Sequence, residues 1–111
     1  MEENIVEMVL DMLEAETPLS RNKNFQLYED EQRMRVFRYF KMFRSVARDI
    51  EACGSPSCIR VRRDPEAAPG ELMLMIRDEA VRYTRMVRVP ARILDHYRRQ
   101  FPGLLPKRVH G

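Results

Sequence analysis

Residues 71–89 read ELMLMIRDEAVRYTRMVRV. Apolar side chains recur at every second position over most of this stretch, which is the period of a strand and not of a helix. Asp78 and Glu79 interrupt the alternation. They predict a two-residue turn between a strand over 71–77 and another over 80–89, although the glycine that tight hairpins favour is missing. With that turn Arg77 pairs with Ala80, and the register follows. Leu72, Leu74, Ile76, Val81, Tyr83, Val87 and Val89 then share one face, a core face. Met73, Met75, Arg77, Arg82, Thr84, Met86 and Arg88 share the other. Arg85 breaks the apolar pattern and is expected near a sheet edge.

Just upstream, residues 58–63 form a third alternating run, with Ile59 and Val61 against Arg60 and Arg62. The intervening DPEAAPG, residues 64–70, is a Pro/Gly-rich loop. Before it, the spacing predicts a long helix over 27–52. Val36, Tyr39, Phe40, Phe43, Val46, Ala47 and Ile50 fall in one sector of it, and Arg38, Lys41, Arg44 and Arg48 in another, alongside Phe37. Glu29, Asp30 and Glu31 suit its N-terminus. Cys53-Gly54 and Pro56 stop it.

A first helix is predicted over 2–16, where Ile5, Val6, Met8, Val9, Leu10, Met12 and Leu13 form a wide stripe opposite Glu7, Asp11 and Glu14. Thr17-Pro18 ends it, and TPLSRNKNF, residues 17–25, is a polar connector. Downstream, Pro90 opens a helix over 90–101 at the position where proline is tolerated. Ile93, Leu94, Tyr97 and Phe101 are its apolar face, and Arg92, Arg98 and Arg99 its basic one. In the remaining PGLLPKRVHG, Leu104 and Leu105 can dock, and residues 106–111 are expected to be a flexible tail. The order is two helices, a three-stranded antiparallel meander and a C-terminal helix. That makes an α+β protein, and 111 residues fit one domain over 1–111.

The net charge of +3 hides an asymmetry. Of 17 acids, Glu2, Glu3, Glu7, Asp11, Glu14 and Glu16 fall in the first 16 residues, where there is no base. The rest of the chain therefore sets 20 Lys and Arg against 11 acids. Nearly all of that base is arginine, since the only lysines are Lys23, Lys41 and Lys107. The N-terminus is acidic where a secretion signal is basic, and the apolar runs are too short to span a bilayer. Two cysteines do not make a disulfide scaffold. A reducing cytoplasm is the expected compartment, with Cys53 and Cys58 as ordinary thiols and no membrane contact.

No catalytic constellation is legible, so the chain is read as a non-enzyme. Gly54, Gly70, Gly103 and Gly111 are scattered singly and form no phosphate loop. Ser20, Ser45, Ser55 and Ser57 lack a nucleophile-elbow context. Cys53 and Cys58, with only His96 and His110 to add, fall short of a zinc set, so neither metal nor cofactor is expected. Asp95 and His96 are helix neighbours that point apart, and His96 reads as a surface side chain.

Binding is the remaining reading. Arg60, Arg62, Met73, Met75, Arg77, Arg82, Thr84, Met86 and Arg88 form a face of the composition found at protein interface cores. It is expected to take an acidic protein partner. The alternative is a nucleic-acid backbone, although this face lacks the aromatic platforms of single-strand binders. The wide stripe of the first helix and the methionines of the sheet together exceed what a small monomer exposes, so self-association is also expected.

Overall fold

Helix α1 (Glu3–Glu14) buries Ile5, Val6, Met8, Val9 and Leu10 and leaves Glu3, Glu7, Asp11 and Glu14 in solvent. The stripe that suggested a second subunit is thus covered within the chain itself. The computed structural model describes residues 3–15, 23–78, 80 and 82–107. A one-turn helix, α2 (Lys23–Gln26), falls in what the sequence offers as connector. Its Phe25 is buried and meets Phe37 edge-to-face at 5.8 Å, a favourable aromatic geometry.

Helix α3 (Asp30–Cys53) starts later than expected because Gln32 caps it. The Glu29 backbone N–H donates to Gln32 Oε1 at 3.3 Å, half of a capping box. Arg33 ties the preceding turn by donating from Nε to the Tyr28 carbonyl at 2.7 Å. Val36, Phe43, Val46 and Ile50 are buried, and Arg38, Lys41, Arg44 and Arg48 are exposed. The chain divides into two compact units, residues 1–46 and 47–111, with the boundary inside α3.

In residues 47–111, Gly54 closes α3 in the left-handed region (φ 64°), its N–H donating to the Ile50 carbonyl. A 3₁₀ turn at Pro56–Cys58, capped by Ser55, reverses the chain. Strands β1 (Ile59–Arg62), β2 (Glu71–Asp78) and β3 (Tyr83–Pro90) follow in an antiparallel sheet of order β1-β2-β3. Helix α4 (Ala91–Gln100) packs on β3 and buries Ile93, Leu94, His96 and Tyr97. The fold is α+β: two long helices, α1 and α3, with the one-turn α2 between them, then the three strands, then α4.

The hairpin register differs from the expected one. Arg77 pairs with Thr84 rather than Ala80, and Asp78 with Tyr83. A two-residue turn needs left-handed backbone that Asp-Glu adopts poorly, and β2 ends at Asp78 and β3 begins at Tyr83 instead. Asp78 Oδ1 accepts from the Ala80 N–H at 3.0 Å, and Arg82 takes the left-handed conformation (φ 53°). A shift of four residues preserves the parity of the strand, so the two faces keep their members from residue 84 onward. Tyr83 is the exception on the core face: it sits at the strand end and is 62% exposed. Val81 lies outside the described residues. At the C-terminus, Leu105 is buried and Arg98 donates to the Pro106 carbonyl at 3.2 Å. Residues 108–111 lie outside the described residues.

Candidate partner-binding face

Alternation along the three strands sends Ile59, Val61, Leu74, Ile76 and Val89 into the core, and their neighbours to the opposite side. Register then assembles those neighbours into rungs. Arg60 lies opposite Met75, which lies opposite Met86; Arg62 lies opposite Met73, which lies opposite Arg88. Arg77 and Thr84 make a third, shorter rung. Directly opposed residues stand about 5 Å apart, close enough for long side chains to pack on one another.

This face is open. Arg60, Arg62, Arg77, Thr84, Met86 and Arg88 are exposed, Met86 to 64%, while Met73 and Met75 are half-buried. The two half-buried methionines belong to the central strand, flanked on both sides by long side chains. Eight of the nine residues anticipated for the site are therefore brought together. The ninth, Arg82, is not on the face: the lengthened turn places it in the β2–β3 loop.

The charges on the face are not equivalent. Arg88 donates from Nε to Asp64 Oδ2 at 2.9 Å and lies 3.7 Å from Glu66 Oε2. The backbone N–H of Glu66 donates to Asp64 Oδ1, and together with Arg88 it holds the Asp64 carboxyl below the usual carboxylate range. The 64–70 loop thus supplies Arg88 with its counter-ions. The sequence reading missed this, because nothing in DPEAAPG says where its acids point. Arg60 and Arg62, on edge strand β1, make no ion pair among the described residues. Arg85, on the core side of β3, is held by Asp49 of α3 at 2.6 Å. That contact explains how a charge is accommodated in the core pattern at a sheet edge.

No protein-family model, curated protein or solved structure matches this chain.

Two sequence readings outside the face need correction. Cys53 and Cys58 are not reduced thiols but a disulfide, with Cα atoms 6.4 Å apart, inside the span such a bond bridges. Left-handed Gly54 and the 3₁₀ turn bring them together; compartment reasoning from composition could not see that reversal. His96 is buried rather than on the surface. It lies three residues after Ile93, on the buried stripe, with its ring 6.0 Å from that of Tyr97. Burial pushes the Tyr97 phenol up. Asp95 turns away and pairs with Arg98 at 2.8 Å, so Asp95 and His96 form no dyad. Among the described residues, no group of three His, Cys, Asp or Glu is placed to hold a metal ion.

Chemically, the open face offers guanidinium forks for carboxylates around a soft, adaptable methionine centre. It carries no aromatic ring on which a base could stack.

Proposed function

We propose that the chain is a non-catalytic interaction or regulatory module that binds an acidic protein surface through the Arg/Met face of its sheet. The observation that supports this most is the pair of open rungs, Arg60–Met75–Met86 and Arg62–Met73–Arg88. A solvated face built for solubility alone would carry threonine or charge at positions 73, 75 and 86. Methionine there contributes apolar area without fixed shape, which suits contact with another protein. Two rungs across three strands span roughly 7 by 10 Å of backbone. That is the centre of an interface, and a partner must also reach its rim to bury the several hundred Å² a specific complex needs.

The compartment belonging to this reading is the cytoplasm. No helix among the described residues is long and apolar enough to cross a membrane. Self-association is retained in the proposal on a different basis from the α1 stripe, which is buried. Leu27, Met34 and Phe37 are exposed in residues 23–46 and supply apolar surface for a second copy.

The test is affinity capture from the native cell with three baits: the wild-type chain, the double variant Arg60→Glu/Arg62→Glu, and Met86→Asp. These positions are exposed, so the baits are expected to keep the wild-type melting temperature. One acidic protein should be retained by the wild type and lost at least tenfold with either variant. Captured nucleic acid that is removed by nuclease, and is indifferent to Met86→Asp, would replace this reading with phosphate-backbone binding.

A further inference from the structure

The Cys53–Cys58 disulfide lines a cleft of about 390 Å³ within residues 47–111, and both cysteines are half-buried rather than sealed away. The charged and titratable groups lining the cleft are Asp49 from α3, Arg77 and Asp78 from β2, and Tyr83 and Arg85 from β3. Two cations and two carboxylates balance overall, so the position of each sulfur in the fold decides which better bears negative charge. Cys53 is the last residue of α3, at the negative end of the helix dipole, which disfavours a thiolate. Cys58 lies past the chain reversal, directly before Ile59, which pairs with Ile76. The residue after Ile76 is Arg77, which the antiparallel register sets across from the position of Cys58 and which lines the same cleft.

We propose that Cys53–Cys58 is a thiol–disulfide exchange site for a small monothiol entering this cleft, with attack at Cys53 and departure of Cys58. The incoming thiolate forms a bond to Cys53 Sγ as the Cys53–Cys58 bond breaks, and the electron pair leaves on Cys58 Sγ. A second monothiol attacks the sulfur of the first, freeing Cys53 and releasing a small-molecule disulfide. Two thiols are thereby oxidised, the protein disulfide is reduced by two electrons, and the two thiol protons end on the cysteines. In a reducing compartment such a bond is transient and responsive rather than a permanent staple. The exchange needs no partner protein, so it stands apart from the binding proposal.

The experiment treats the full oxidised chain with reduced glutathione, quenches with acid and maps the adduct by peptide mass. The mixed disulfide should sit on Cys53, and native-state reduction should run within about tenfold of the rate in the denaturant-unfolded chain. An adduct found mainly on Cys58 would overturn the proposal, as would native reduction about a thousandfold slower than unfolded. A second measurement follows the pH dependence of alkylation in single variants. The thiol left in Cys53→Ser should ionise at lower pH than the one left in Cys58→Ser; the reverse order, or no difference, also overturns it.

Discussion

The two faces of the sheet are built from alternate residues of the same strands, yet they answer to different constraints. On one, Val61, Leu74 and Val89 are wholly inaccessible to solvent, and each fits a space set by its neighbours. On the other, Met75 and Arg60 stand one residue away from Leu74 and Val61, and packing within the chain dictates much less of their identity. Residues that folding requires report on the fold; methionine on the open face, where threonine would be better solvated, is the feature on which the proposed contact rests.

The sharpest way to break this contrast is to truncate neighbours in β2. Leu74→Ala should cost about 2–5 kcal/mol, the range for a fully buried aliphatic side chain. Met75→Ala, half-buried on the open face, should cost about 1 kcal/mol or less. Chemical denaturation of both variants checks this; equal losses would mean that both faces are core.

A smaller effect tests the register that assigns residues to the faces. Arg82 sits in the left-handed region, which costs a non-glycine residue about 1 kcal/mol. Arg82→Gly should therefore raise stability by roughly 0.5 kcal/mol once the added backbone entropy of glycine is offset. In the alternative hairpin with a two-residue turn, position 82 would be mid-strand, and the same change would destabilise. Thermal melts decide the sign.

The smallest effect concerns the acidic loop beside the open face. The Asp64 carboxyl is held below its usual range by the Glu66 N–H and by Arg88. A group whose folded value is depressed adds stability above its unfolded value and loses it as pH falls through the folded one. Asp64→Asn should flatten the acid limb of the stability profile: the variant is slightly less stable than the wild type at neutral pH and converges on it as pH falls through the depressed folded value of the carboxyl. A variant as acid-sensitive as the wild type would remove Asp64 from the account.

How much of this was legible in the sequence follows from the range of each interaction. Period-two alternation over 59–62 and 71–89 carried the strands and the membership of their faces, because the pleat acts locally. The hairpin length was missed, since a missing glycine says that a tight turn is strained but not how far the loop must open. Which residues share the open face was readable for the same local reason, down to Arg60, Met73 and Met86. Its electrostatics were not: Arg88 meets Asp64 across 24 positions of sequence. The disulfide depended on Gly54 taking positive φ and on a 3₁₀ turn, a combination that C-x₄-C spacing alone leaves open.

Binding of an acidic protein by the open face, through arginine and methionine together, is decided by titrating salt against the affinity of the captured complex, for the wild type and for Met86→Asp. A modest weakening with moderate salt is expected, with loss of at least tenfold in affinity for Met86→Asp at every salt concentration. A steep log–log decline with a slope of several counter-ions, with Met86→Asp binding as tightly as the wild type, would contradict it.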